Sequence, residues 1–442
     1  MKNMLMFLVV AVASMAFAAE PILVEFSADR KDCLYKVGEK ASLFVTGLTT
    51  NGQKVTSGSV RFVMDDCGTN MLYVGKVDFS KANPAKYEVT LDKPGFVRCM
   101  VRNCYAKDYD GSVKEFSRRM YSLGFDVEKI KKVVPDNPDF DKFWSQAKAK
   151  LERDVPIDVQ MREVPERSTE YFTYYRISFA TYKQRIHAYM SVPKKAKKPY
   201  PLEISVSSAG FGDHSNDMNG RRDRISVFFT MFPFEPDWKW RETGLEDKYN
   251  EFEKQLMQKY RVPGYSNAGI IEKSPEDYYY YPHILGIDRA INYLVSRDDV
   301  DRTKVWYQGT SQGGGFGFYL CGLNHSFTRS LIFVPGLCDL MGCLEGRRSG
   351  WPYFLEVYKK RPDEFAAALK NIPYYDAANF ASRIKCPVRV IISFGDLVVS
   401  PTSAYSAYNE IKVKDKAAVI MPHCTHDVDP KVRQELRRWM SR

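Results

Sequence analysis

A chain of 442 residues is too long for one ordinary domain and implies two or three. With 44% apolar residues and no low-complexity tract, packed cores are expected rather than disorder. The formal net charge is +11, and Lys and Arg occur in short clusters such as Lys194-Lys195-Ala196-Lys197-Lys198 and Arg221-Arg222-Asp223-Arg224; this fits solvated loops or attraction to an acidic polysaccharide or anionic surface, and argues against nucleic acid as a partner.

The first 18 residues carry Lys2, an apolar run over 4–13 and Ala16-Phe17-Ala18 before Ala19, the pattern of a secretory signal peptide. The run is too short for a membrane span and no second one follows. No cysteine stands at the cleavage point, so a soluble protein exported to a periplasm or beyond is expected, without a lipid anchor. Export permits disulfides, and the nine cysteines make an odd total, so at least one thiol is free. Cys99 and Cys104 on one extended strand would stand about 16 Å apart and face opposite ways, so they are not expected to join each other.

Residues 19–132 are expected to form a small antiparallel, Ig-like β-sandwich. Short alternating runs at 41–46, 59–64, 86–91 and 96–101 read as strands, and Asn51-Gly52 and Asp92-Lys93-Pro94-Gly95 read as turns. Pro135-Asp136-Asn137-Pro138 marks a boundary, and residues 133–442 change in texture. A helix starts at Phe140, and strands are expected at 172–179, 186–192, 202–206 and 225–231. Ser274-Pro275-Glu276-Asp277 signals a helix running toward Arg297 with a bend at Pro282. Further strands at 330–334, 388–393 and 417–421 and a last helix at 430–440 complete an α/β pattern. Strands separated by helical stretches imply a mainly parallel sheet, with ligands at the carboxyl ends of its strands.

The most informative stretch is Lys304-Val305-Trp306-Tyr307-Gln308-Gly309-Thr310-Ser311-Gln312-Gly313-Gly314-Gly315. An apolar run, a Gly-x-Ser-x-Gly turn and a small-residue helix are the order of a nucleophile elbow, with Ser311 at its tip. A serine hydroxyl is a weak nucleophile and needs a base and an orienting carboxylate. Asp396 lies just past the strand 388–393 and His426 five residues past the strand 417–421, giving the order serine, acid, histidine. Asp339 is the second choice for the acid. His423-Cys424-Thr425-His426-Asp427 admits a reading as metal ligands, but it lacks a second ligand group elsewhere, so neither metal nor cofactor is expected. Two backbone donors are expected to receive the oxyanion: the N–H of Gln312 and the N–H of Phe211, in the loop Ser207-Ser208-Ala209-Gly210-Phe211-Gly212.

From about Phe140 to Arg442 the chain resembles the acetyl xylan esterase and cephalosporin-C deacetylase family, carbohydrate esterase family seven, an α/β-hydrolase family. The resemblance rests on Gly309 to Gly314 at the elbow, on Tyr374-Tyr375-Asp376-Ala377-Ala378-Asn379, and on Lys385-Cys386-Pro387 leading to Gly395-Asp396. It rests also on Ser400-Pro401-Thr402-Ser403 with Ala407-Tyr408-Asn409, and on Pro422 before His426-Asp427. It implies Ser311, Asp396 and His426 as the triad, the Phe211 and Gln312 amides as oxyanion donors, and acetylated xylo-oligosaccharides or similar small esters as substrates. The chain departs from the family where Phe229-Thr230-Met231-Phe232-Pro233-Phe234 replaces its Arg-Gly-Gln element, where Asp427 replaces glutamate, and where Phe211 stands for the common tyrosine. These departures bear on substrate range and on whether the family's ring-shaped homo-oligomer forms. The expected function is an exported serine esterase that deacetylates sugars through an acetyl-enzyme. The alternatives are an α/β-hydrolase for another bond, a feruloyl ester or a peptide, and an inactive hydrolase-like protein that only binds glycans.

Overall fold

The computed structural model describes residues 21–442 except 68–69, 211–219, 236, 238, 240–241 and 263. The expected signal peptide and Phe211 lie outside the described residues. Two sheets organise the rest.

The first sheet has eight strands: β1 (Leu23–Ala28), β2 (Leu34–Tyr35), β3 (Ala41–Leu48), β4 (Ser59–Asp65), β5 (Met71–Asp78), β6 (Ala85–Val89), β7 (Gly95–Lys107) and β8 (Val113–Phe125). The order is β2-β8-β7-β1-β3-β6, and β4, which carries β5, also pairs with β7. The 13-residue β7 thus shares one edge between β4 and β1. The two parts fold over each other, with Phe62 of β4 packed on Tyr87 of β6 at 4.6 Å between ring centroids. The pairing is not wholly antiparallel: β1 meets β7, and β2 meets β8, in parallel. All nine cysteines are free thiols, and Cys99 and Cys104 are both buried along β7.

The second sheet contains β9 (Gln160–Glu163), β10 (Phe172–Thr181), β11 (Gln184–Pro193), β12 (Tyr200–Val206), β13 (Ile225–Phe229), β14 (Val300–Thr310), β15 (Arg329–Phe333), β16 (Val388–Ser393) and β17 (Lys416–Met421). Their order is β17-β16-β15-β14-β12-β13-β11-β10-β9. β12 to β17 run parallel, and β9 to β11 form an antiparallel margin. This mainly parallel sheet with helices on both faces is the α/β-hydrolase fold. The helices are α1 (Phe140–Asp154), α2 (Leu245–Tyr260), α3 (Tyr280–Ser296), α4 (Gln312–Leu323), α5 (Phe354–Tyr358), α6 (Pro362–Asn371), α7 (Ala377–Ala381), α8 (Pro401–Glu410) and α9 (Pro430–Met440).

Alternation along the strands feeds both faces. Leu331 and Phe333 of β15 join Leu436 and Met440 of α9, which lie four apart on one helix face, whereas Ile332 points into the main core. Asp429 caps α9 by accepting from the Lys431 N–H, and Pro430 occupies a first-turn position that needs no donor. The main core runs without a break from Val24 in the first sheet to Ile411 after α8, so the two sheets share buried apolar surface.

One expected helix is corrected. Ser274 does cap a turn by accepting from the Glu276 N–H, but that turn is a 3₁₀ helix of Pro275–Asp277. The long helix, α3, begins at Tyr280. Pro282 therefore sits in a first turn, where its missing N–H costs nothing, and the expected bend has no cause.

Candidate active site

Because β14, β15, β16 and β17 are neighbours and parallel, their carboxyl ends open on one edge of the sheet. Ser311 follows β14, Asp396 follows β16 and His426 follows β17, so residues far apart in sequence meet there.

The elbow is built by backbone contact. Ser311 has φ 59° and ψ −118°, a sparsely populated conformation for a residue with a side chain. It is held by the Ser311 N–H donating to the Phe333 carbonyl at 2.9 Å, and by its own carbonyl accepting from Gly315 at 3.0 Å and Gly336 at 2.9 Å. A Cβ on Gly309 would stand 2.3 Å from the Gly313 carbonyl oxygen, which explains why strand and helix meet through glycines.

His426 joins the two other groups. Its Nδ1 lies 2.7 Å from Asp396 Oδ2 and its Nε2 lies 2.9 Å from Ser311 Oγ. A carboxylate oxygen only accepts, so the network assigns the proton to Nδ1 and leaves Nε2 free to accept from the serine hydroxyl. Asp396 is 1% exposed, and its other oxygen accepts from the Val398 and Val399 N–H groups, each at 2.8 Å. The imidazole is 28% exposed, leaving one side open to an incoming ester.

Gln312 opens α4, so its main-chain N–H is among those that a helix leaves unpaired at its start. Its buried side chain does something the motif does not reveal. Oε1 accepts from the Tyr265 hydroxyl at 2.9 Å and the Tyr280 hydroxyl at 2.5 Å, and Nε2 donates to the Ser207 carbonyl at 3.2 Å. The Tyr265 hydroxyl also accepts from the Gly210 N–H at 3.2 Å. One glutamine side chain thus ties the elbow to the loop leading toward Phe211.

The alternatives lie elsewhere. Asp339 is fully buried and forms a two-pronged ion pair with Arg347, at 2.7 and 2.9 Å, and accepts from the Val133 N–H. Nearby Asp376 takes three backbone N–H donors, and burial, with the Asp339 charge adding to it, pushes its carboxyl up to about 7. His423 is exposed in the loop where His426 turns inward. Among the described residues no group of three or more His, Cys, Asp or Glu side chains is placed to hold a metal ion.

Beside these three side chains the Tyr353 hydroxyl donates to the carbonyl of Val398, two residues past Asp396. Tyr353, Arg347, Arg348, Glu356 and Cys343 line a cleft of about 730 Å³. The Trp351 ring bounds the elbow, since a Cβ on Gly336 would meet it at 3.2 Å and the Ser311 carbonyl at 3.6 Å.

Comparisons with known proteins place the chain as a whole. The model of the acetyl xylan esterase (AXE1) family matches residues 120–442. The acetyl esterase Axe7A of Xylanibacter ruminicola is 28% identical, across 100% of this chain and 97% of that protein. Two solved structures share the fold: an acetyl xylan esterase from Paenibacillus sp. R4 (TM-score 0.57, 21% identity, 71% of this chain and 98% of that one) and acetyl xylan esterase 1 from Thermoanaerobacterium sp. JW/SL YS485 (TM-score 0.56, 20% identity, 71% and 96%). The chain belongs to the acetyl xylan esterase family and is a carboxylic ester hydrolase.

Proposed function

We propose that this chain is an exported serine esterase that removes acetyl groups from acetylated xylo-oligosaccharides or similar small acetyl esters. The observation that carries the reading is the relay Asp396, His426, Ser311, with both links at hydrogen-bond length. Ser311 Oγ attacks the acetyl carbonyl carbon while His426 Nε2 takes its proton, and Asp396 stabilises the imidazolium through Nδ1. The negative charge on the carbonyl oxygen is received by the N–H groups of Gln312 and Phe211. Collapse breaks the bond to the sugar oxygen, which leaves with the proton from His426. Water then adds to the acetyl-serine, giving its proton to His426, and acetate departs as Ser311 regains a proton.

The substrate assignment is supported by the likeness to acetyl xylan and acetyl esterases and by the cleft beside the triad, whose volume suits a ligand of a few sugar units. Export rests on the N-terminal sequence pattern. The division at 132/133 is supported by the separate hydrogen-bonding of the two sheets.

The test is a time course of acetate release from acetylated xylo-oligosaccharides, wild type beside Ser311→Ala. The variant should lose about 10⁴ to 10⁶-fold in turnover. Unchanged release would reject the reading. Esters of longer acyl chains should be hydrolysed progressively more slowly by the wild type; a preference for feruloyl esters or peptides would transfer the site to another bond.

A further inference from the structure

The two loops that carry Asp396 and His426 do not stand on the catalytic sheet alone. Leu397, next to the acid, packs on Val63, Met100 and Met120 of β4, β7 and β8. Phe394 meets Phe96 of β7 edge to face at 4.8 Å between centroids. The Ser122 N–H of β8 donates to the Pro422 carbonyl at 3.1 Å.

The closest approach comes from the turn joining β7 to β8. This turn is braced: the Asp108 N–H donates to the Ser112 carbonyl at 2.9 Å, and Lys114 pairs with Asp108 at 2.6 Å. At its tip the Tyr109 hydroxyl donates to Asp427 Oδ2 at 2.7 Å and lies 3.1 Å from Cys424 Sγ. Asp427 follows His426 directly, and its other oxygen accepts from the Thr425 N–H at 2.8 Å, just before the histidine. The Asp427 carbonyl accepts from Ser393 Oγ at 2.7 Å, at the end of β16. Both flanks of His426 are therefore tied through one carboxylate whose outer oxygen is held from the first sheet. Burial and the neighbouring thiol and carboxylate raise the Tyr109 hydroxyl well above its ordinary value, so it stays protonated and remains a donor.

We infer that Tyr109 is a positioning residue for His426, acting through Asp427, and that the N-terminal sheet is thereby a working part of the hydrolytic unit. The inference rests on the reading of Ser311, His426 and Asp396 given above. An imidazole must keep two hydrogen bonds at once, and a displacement near 1 Å costs on the order of 100-fold in rate.

The experiment is a double-mutant cycle in the full chain with 4-nitrophenyl acetate: Tyr109→Phe, Asp427→Ala, both together, and Asp427→Asn. Tyr109→Phe should lower kcat about 5- to 20-fold with KM within about twofold, and should slow inactivation by a fluorophosphonate by the same factor, because that reaction also needs the serine and histidine aligned. In the Asp427→Ala background the tyrosine change should add nothing. Asp427→Asn, whose amide still bonds the hydroxyl, should stay within about threefold of wild type. Unchanged kcat in Tyr109→Phe, even with a lower melting temperature, overturns the inference, as do effects that multiply in the double variant. If Asp427→Ala does not fold, the Tyr109→Phe and Asp427→Asn arms decide alone. Ser311→Ala run alongside separates the two failures: activity kept there sinks the triad, whereas activity lost there and kept in Tyr109→Phe sinks only the role of the tyrosine.

Discussion

Gly313 and Val206 approach so closely that a Cβ on the glycine would stand 2.2 Å from the Val206 carbonyl oxygen. Helix α4 thus begins against the end of strand β12, backbone on backbone, and this contact sets where Ser311 points. Gly313→Ala must move one of two packed backbones. It should cost about 3 kcal/mol or more of stability in urea unfolding. Gly95→Ala, where the new carbon would meet only Leu91 Cδ1 at 3.7 Å, should cost no more than about 1 kcal/mol. Equal costs for the two would refute the steric account of the elbow.

Asp396→Asn is expected to reduce kcat by about 10⁴-fold with little change in KM. The reason lies in the other side of the carboxylate. The Val398 and Val399 N–H groups require an acceptor, so they hold the amide oxygen and turn the NH₂ toward His426. Nδ1 must then accept, the ring proton moves to Nε2, and the serine faces a donor where it needs a base. Kinetics on a small acetyl ester check this, and a loss below about tenfold would mean that the tautomer is not held by Asp396.

The glutamine after the nucleophile gives a sharper comparison. Tyr265 and Tyr280 both donate to Gln312 Oε1, but only Tyr265 also reaches the loop at Gly210. Both Phe variants should lose about 1–2 kcal/mol of stability. Only Tyr265→Phe should also lose activity, by roughly tenfold in kcat, because it loosens the loop that leads to Phe211. Matching kcat values for the two variants would show that the loop needs no such tie.

The legible parts of this chain are those in which local chemistry and burial coincide. Strand Val388–Ser393 and helix Pro430–Met440 lie where the sequence places them, because one is a short apolar run and the other has a cap, a first-turn proline and an apolar face. The convergence of Ser311, Asp396 and His426 was legible because each follows a strand and the parallel order brings those strand ends together. β8 was not, since Val113–Phe125 carries Lys114, Glu115, Arg118 and Arg119 on its outer half and shows little alternation. Nor were Tyr265, Tyr280 and Tyr109, whose partners lie 47, 32 and 318 residues away with no motif to mark them among 28 tyrosines. Ser274 misled because a genuine cap can serve a single turn as well as a helix.

Acid should unfold this protein partly through His283, which takes no part in the proposed catalysis. The ring is 0% exposed in α3, and burial pulls its pKa from 6.5 down to about 4. In the unfolded chain it binds a proton near its ordinary value; in the fold it does so only near 4. Between those pH values the unfolded state holds more protons, so the contribution is complete above about pH 6.5 and is lost as pH falls through about 4. It amounts to about 3 kcal/mol, as an order of magnitude. Asp376 acts in the opposite sense: its carboxyl is raised from 3.8 to about 7 in the fold, and stability declines as pH rises across that window. A comparison of wild type with His283→Gln removes the Asp376 contribution, since both chains carry it. The variant loses packing at every pH, but its deficit in urea unfolding should shrink by about 3 kcal/mol from pH 7 to pH 4. A deficit that is constant across that range would mean that His283 is not kept neutral by its burial.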